Sequence, residues 1–161
     1  MTSPFPTVLE PATDHLLLIV VGAHLRAEAR HRPLGYRLRD AVLGWLDGQD
    51  AADIPVRLQP LVLTDLWYLN HDDLHGQPVI AIGEPEVNAA SAYLGARLPA
   101  AFVIEDALRV QLDPEFIDLR ACMWGAPASP GSHAPCSTAA AVDAFMERYL
   151  DEFLRAAHES I

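Results

Sequence analysis

Pro78-Val79-Ile80-Ala81-Ile82-Gly83-Glu84-Pro85-Glu86-Val87-Asn88 is the stretch of this chain that decides the fold. Its four consecutive apolar residues, Val79 to Ile82, are typical of a short strand that is covered on both faces. Gly83 permits a sharp turn after the strand, and Pro85 suits the first position of a helix, where its missing N–H costs nothing. In a parallel α/β sheet such a turn lies at the carboxyl edge, where ligands usually bind.

Strands and helices alternate along the rest of the chain. Apolar runs predict strands at Leu16–Val21 and Val56–Leu63, and helical spacing predicts a helix from Pro33 to Gly48 after a polar loop over 22–32. The other predicted elements are a short helix over 65–68 capped by Thr64, a helix from Pro85 to about Leu98, strands Ala101–Ile104 and Leu108–Leu112, a strand Ile117–Trp124, and one last helix from Ser137 or Thr138 with the apolar stripe Val142, Phe145, Met146, Tyr149, Phe153 and Ala157. This order predicts a three-layer α/β sandwich with a mostly parallel sheet, an antiparallel hairpin near 101–112 and flanking helices.

Length and hydropathy set the domain organisation. A chain of 161 residues is one domain by length, and we expect an N-terminal arm over 1–14 followed by a single α/β domain over 15–161. No apolar run approaches the roughly 20 residues that span a bilayer. The first residues also lack the basic region and apolar core of a signal peptide, so a cytoplasmic location is predicted.

The net charge of −11 argues against nucleic acid and anionic membranes as partners. All eleven basic residues are arginine, and residues 22–40 hold five of them against only two acids. Because charges are screened over about 8 Å at physiological salt, this local cluster can attract a small anion despite the distant acids.

Three strand-to-helix junctions, over 22–39, 83–88 and 124–138, are expected to converge at the carboxyl edge of the sheet. The predicted function is therefore binding of a small anionic or nucleotide-like ligand at that edge. Arginines suit bidentate contacts to phosphate or carboxylate, an amide and an indole suit a planar group, and a helix start suits an anion. The candidate ligand-binding residues are Arg26, Arg30, Arg32, Gly83, Asn88, Trp124 and Thr138.

Two features leave this prediction open. The same arginines can pair with the chain's many acids on a solvated surface, and Glu84 and Glu86 repel an anion at the turn proposed to hold it. No GxGxxG or GxxxxGK[ST] motif is present, which disfavours ordinary dinucleotide or P-loop binding, and no cofactor can be assigned.

Two other classes of function stay open. One is a structural or assembly protein, for example a homo-oligomer, that acts through protein–protein contacts at the 126–135 loop or the N-terminal arm. The other is a cysteine- or histidine-dependent hydrolase that uses Cys122 or Cys136, with His75 upstream of both. No catalytic residue is assigned.

Further histidines and acids have weaker patterns. His71, Asp72, Asp73 and His75 have a spacing that would ligate zinc only on a helix, and the glycine and proline that follow favour a turn, so no metal site is predicted. The remaining histidines in predicted loops near the edge could act in acid–base chemistry near neutral pH: these are His24, His31 and His133.

Three short motifs in the second half of the chain follow a recognisable pattern. Gly83-Glu84-Pro85-Glu86-Val87-Asn88 corresponds to a Gly-Gly-Pro-x-x-Asn turn into a helix, with Glu84 in place of the second glycine. Trp124-Gly125 corresponds to a final strand that ends in glycine, and Thr138-Ala139-Ala140-Ala141 to a Thr-x-x-Ala helix start. In these motifs residues 78–157 resemble the small α/β module of archaeal S-layer-type proteins, with an insertion over 126–136. The resemblance implies an α/β fold and no particular activity.

Overall fold

The computed structural model describes residues 15–98, 101–104, 108–125 and 137–161. Within these ranges one sheet contains six strands: β1 (Leu16–Val21), β2 (Gln59–Thr64), β3 (Val79–Ile82), β4 (Ala101–Ile104), β5 (Leu108–Leu112) and β6 (Arg120–Gly125). Their order across the sheet is β2-β1-β3-β6-β5-β4. Four neighbouring strands pair in parallel, in the spatial order β2, β1, β3 and β6. β5 is antiparallel to both of its neighbours, β6 and β4.

Helices of the described residues cover both faces of this sheet. They are α1 (Leu25–Arg30), α2 (Arg32–Asp47), α3 (Asp65–Leu69), α4 (Ala89–Gly95), α5 (Thr138–Arg148) and α6 (Leu150–Glu159), with a 3-10 turn at Asp72–Leu74. Side chains of α2, α5 and α6 pack on one face of the sheet, and those of α3 and α4 pack on the other. The predicted three-layer α/β sandwich with a mostly parallel sheet is confirmed.

The strand β1 shows why the sheet has two covered faces. Successive side chains of a strand point to opposite faces. Leu17, Ile19 and Val21 accordingly belong to the apolar cluster beneath α2 and α5, while Leu18 and Val20 belong to the cluster beneath α3 and α4. Every position of β1 must therefore be apolar, because a polar or charged side chain on either face would be buried in one of the two apolar clusters without a partner.

Several predicted elements are confirmed. β1 and β3 have the predicted bounds, and the two strands of the predicted hairpin pair antiparallel. Thr64 caps α3 as expected, since its hydroxyl accepts a hydrogen bond from the N–H of Trp67 at 3.3 Å.

The predicted loop over 22–32 is wrong in part, because it contains the short helix α1. His24 caps this helix by accepting the N–H of Arg26 on its Nδ1 at 3.2 Å, and Ala27 is buried beneath it. A helix of 6 residues with one buried side chain has no apolar periodicity for a sequence pattern to detect.

The helix predicted from Pro85 begins four residues later, at Ala89. Residues 84–88 form a turn, in which the carbonyl of Glu84 accepts the N–H groups of Val87 and Asn88 at 3.0 and 2.9 Å. Asn88 is the N-cap of α4, and asparagine is one of the residues most favoured at that position.

Three other bounds differ from the prediction. The strand predicted from Ile117 begins at Arg120, because the carboxylate of Asp113 accepts the N–H groups of Glu115, Ile117 and Asp118 and holds this segment as a turn. The strand predicted over 56–63 corresponds to β2, which begins three residues later and ends one residue later than predicted. The last helix is interrupted at residue 149, whose φ of −127° separates α5 from α6.

The predicted N-terminal arm over 1–14 and the 126–135 loop, which contains His133, lie outside the described residues, and so does Cys136. In the part of the chain that is described, no helix combines the length and the apolarity needed to cross a bilayer.

Candidate functional site at the carboxyl edge of the sheet

The segments that follow β1, β3 and β6 line one cavity of about 380 Å³, here called the edge cavity. All three strands are parallel, so their carboxyl ends lie at the same edge of the sheet. The three junctions expected to converge each contribute to the lining. The described residues that line the cavity are Arg26, Arg30, His31, Leu34, Glu84, Gly125, Ser137, Thr138 and Ala139.

The start of α5 forms one wall of the edge cavity. Ser137 is the N-cap, and its hydroxyl oxygen accepts the N–H of Ala140 at 3.1 Å. The hydroxyl oxygen of Thr138 accepts the N–H of Gly125 at 3.3 Å, which holds the helix against the end of β6. The first N–H groups of a helix have no partner within it and carry the positive end of the helix dipole. This wall therefore favours negative charge.

Arg26 and Arg30 form the cationic part of the cavity. They are four residues apart on α1, so they lie on the same face of that helix. Both are exposed, and neither has an ion-pair partner among the described residues. Their guanidinium groups are available to a ligand.

Arg32 is placed differently from these two arginines. It does not belong to the cavity lining, and its guanidinium makes two hydrogen bonds to the Glu28 carboxylate, at 2.7 and 2.8 Å. This bidentate pair lowers the pKa of Glu28 through the hydrogen bonds from Arg32. Arg32 is thus engaged within the protein, as the alternative reading of the arginine cluster anticipated.

His31 and Glu84 lie together at the inner end of the cavity. His31, between α1 and α2, is only 6% exposed, and its Nε2 lies 3.8 Å from Oε2 of Glu84. Burial lowers the pKa of His31, an effect that the Glu84 carboxylate opposes and the Arg30 charge reinforces. The imidazole is therefore mostly neutral at pH 7. Its Nδ1 is buried without a hydrogen-bond partner among the described residues.

Gly83 makes room for the His31 ring. Its φ of +122° lies in a region that side-chain-bearing residues rarely adopt. A Cβ added at Gly83 would lie 2.7 Å from Nδ1 of His31. Gly83 is not part of the lining, and it acts by allowing the imidazole to pack against the turn after β3.

Asn88 is fully buried and does not reach the cavity. Its amide nitrogen donates to the carbonyls of Val20 and Ile82 at 3.1 and 2.9 Å, and its amide oxygen accepts the N–H groups of Ala90 and Ser91 at 3.0 and 3.3 Å. Both N–H donors and the acceptor oxygen of this side chain are therefore occupied by hydrogen bonds that join the ends of β1 and β3 to α4. Asn88 therefore shapes the edge and has no direct access to a ligand.

Asp65 makes a similar connection that the sequence did not reveal. Its buried carboxylate accepts the N–H of Ala23 at 2.9 Å, of Leu66 at 2.8 Å and of Ala89 at 2.8 Å. One side chain thereby holds the loop after β1, the start of α3 and the start of α4 together. The signal in the sequence is an acidic residue two positions after the strand predicted over 56–63.

Trp124 lies outside the edge cavity. It is half-buried at the end of β6 and packs against the apolar cluster beneath α3 and α4. Of the seven predicted ligand-binding residues, the structure brings Arg26, Arg30 and Thr138 together in the cavity.

Of the residues considered for hydrolysis, Cys136 lies outside the described residues, whereas Cys122 and His75 do not line this cavity. Cys122 is fully buried within β6, and burial raises the pKa of its thiol to about 12, so it is poorly suited to nucleophilic attack. His75 lies before β3, at the opposite edge, with Nε2 3.0 Å from the carbonyl oxygen of Tyr68. The described ranges contain no cluster of three or more side chains placed to hold a metal ion.

The chain matches no family model, no curated protein and no solved structure. The resemblance of residues 78–157 to the S-layer-type module stays a prediction.

Proposed function

We propose that this protein binds a small anionic or nucleotide-like ligand in the edge cavity. The observation that carries the proposal is that Arg26 and Arg30 line the same cavity as the first residues of α5. A volume of about 380 Å³ lies within the range of small-molecule sites, which begins at roughly 300 Å³.

The local charges support an anion despite the net charge of −11. A helix start stabilises a negative charge by about 0.3–1 kcal/mol at a surface and up to about 2 kcal/mol when partly buried. Arginine adds hydrogen bonds in a planar fork that matches phosphate and carboxylate oxygens. The first N–H groups of α5 and the two arginines reinforce each other because they face one volume.

A thermal-shift series tests this proposal with inorganic phosphate, a sugar phosphate and a nucleotide at millimolar concentration. We expect at least one of these anions to raise the Tm of the wild-type protein, and the double variant Arg26→Ala/Arg30→Ala to lose most of that rise. Arg57→Ala is the matched control, because Arg57 precedes β2 at the opposite edge and pairs with Asp47. A flat response across the series, or an equal response in the double variant, would contradict the proposal.

A role in assembly through protein–protein contacts is supported by a different surface. Among the described strands β2 lies at one edge of the sheet, and its Leu61 is 44% exposed. Leu66 and Trp67 follow on α3 and are each 57% exposed. Exposed apolar side chains on and beside an edge strand favour contact with another chain. Light scattering tests whether these contacts join identical chains. If it finds only monomer at high micromolar concentration, that result would count against self-assembly of this protein.

A further inference from the structure

The edge cavity contains a carboxylate that a site for a simple anion does not need. Glu84 lines the same volume as Arg26 and Arg30, and its side chain is 37% exposed. Its nearest cationic or imidazole partner is Nε2 of His31 at 3.8 Å, which is too long for a hydrogen bond. Among the described residues, none donates a hydrogen bond to this carboxylate. Glu84 therefore brings unused acceptor capacity to the lining of the edge cavity.

Two hydroxyl groups in the cavity have the opposite capacity. The oxygens of Ser137 and Thr138 already accept backbone N–H groups. A hydroxyl that accepts through its oxygen keeps its hydrogen free to donate. The cavity thus combines cationic donors, neutral donors and one anionic acceptor.

From these groups, and resting on the proposed function, we infer that the ligand is a phosphorylated polyol such as a sugar phosphate. The phosphate contacts Arg26, Arg30 and the first N–H groups of α5. The sugar hydroxyls donate to the Glu84 carboxylate and accept from Ser137 and Thr138. A plain anion would only be repelled by the negative charge of Glu84. An anion that also has hydroxyl groups can donate a hydrogen bond to the Glu84 carboxylate, which offsets that repulsion.

The lining also favours the sugar over a nucleobase as the recognised group. The apolar side chains of the described lining are Leu34 and Ala139, and the one aromatic ring in this part of the lining is the imidazole of His31. That ring is only 6% exposed and lies against Gly83, so it offers little surface for stacking. Proteins commonly hold a base by stacking it on an aromatic side chain. Trp124, which was expected to supply such a surface, packs beneath α3 and α4.

Isothermal titration with four probes tests this inference: inorganic phosphate, ribose, ribose 5-phosphate and AMP. In the wild-type protein we expect ribose 5-phosphate to bind at least tenfold more tightly than phosphate, and ribose alone to give no detectable binding. Glu84→Gln is expected to weaken the binding of ribose 5-phosphate about tenfold, because an amide oxygen accepts a weaker hydrogen bond from a sugar hydroxyl than a carboxylate does. The same variant leaves phosphate binding unchanged or tighter, because a like charge is removed.

Glu86→Gln is the matched control, since Glu86 is an exposed acid of the same turn that does not line the cavity. Equal affinity for phosphate and ribose 5-phosphate, or a Glu84→Gln variant that binds both as the wild type does, would overturn the inference and leave the proposed function standing. AMP that binds tenfold more tightly than ribose 5-phosphate would also overturn it. If no phosphate compound binds, or if binding survives Arg26→Ala/Arg30→Ala, the proposed function itself fails.

Discussion

Asn88 illustrates how a single buried polar residue fixes the geometry of the carboxyl edge. Its amide makes four hydrogen bonds to backbone groups of β1, β3 and α4. A buried backbone group that loses its partner costs about 1–3 kcal/mol. The position of the edge cavity thus depends on a residue that does not touch it.

We expect Asn88→Ala to lower the free energy of unfolding by about 2–4 kcal/mol, because several buried carbonyl and N–H groups lose their partner together. Urea unfolding monitored by circular dichroism measures this change. Asn70→Ala is the control, because Asn70 is exposed and its amide makes one hydrogen bond, to the carbonyl of Leu66. A loss below about 1 kcal/mol for Asn88→Ala would contradict the assigned role.

His31 predicts a pH dependence of stability. Burial lowers its pKa below the ordinary value of 6.5, so the unfolded chain binds a proton at a pH where the folded protein does not. Stability is therefore retained above pH 6.5 and lost as the pH falls toward the pKa of the folded state. One such group contributes a slope of at most about 1.4 kcal/mol per pH unit.

Unfolding free energies of the wild type and His31→Gln between pH 5 and 7.5 test this prediction. The wild type is expected to lose stability more steeply toward low pH than the variant. His24→Gln serves as the control, since His24 is an exposed helix cap. Parallel pH profiles for the wild type and His31→Gln would show that the pKa of His31 is not lowered.

At the scale of elements, two glycines have opposite effects on stability. Gly83 has a φ of +122° and lies against the His31 ring, so Gly83→Ala is expected to lower the free energy of unfolding by at least about 2 kcal/mol. Gly44 is in α2, and a Cβ there would meet nothing within 4 Å. Gly44→Ala should therefore raise stability by about 0.5–1 kcal/mol, because alanine favours a helix. Chemical unfolding of both variants measures the two signs, and a loss on Gly44→Ala would be inconsistent with this packing.

The predictability of each element follows from how local its causes are. β3 was predictable because its four apolar residues are bounded by Pro78 and Gly83. Proline and glycine restrict or permit backbone conformations at their own positions and at adjacent ones, so these boundaries can be recognised from the local sequence. α1 was not, because a single buried side chain, Ala27, holds it to the core. The start of α4 was misplaced because Pro85 and Asn88 are both favourable first residues, and only the tertiary hydrogen bonds of Asn88 decide between them.

At the scale of the whole molecule, the edge was predictable and its chemistry was not. Parallel strands bring the segments after β1, β3 and β6 to one edge whatever their side chains are. Which arginine lines the cavity depends on contacts between side chains, and Arg32 is held by Glu28 whereas Arg26 and Arg30 are not. Asp65 bonds to residues 42 and 24 positions away, and no local pattern encodes those distances.

The proposed anion site at the carboxyl edge requires three separate segments of the chain to contact one ligand. A crystal structure of the protein with ribose 5-phosphate at saturating concentration would locate that ligand. We expect phosphate oxygens within about 3 Å of the Arg26 or Arg30 guanidinium and of the first N–H groups of α5. An edge cavity that stays empty under those conditions, with Arg26 and Arg30 turned away to pair with surface acids, would contradict this proposal.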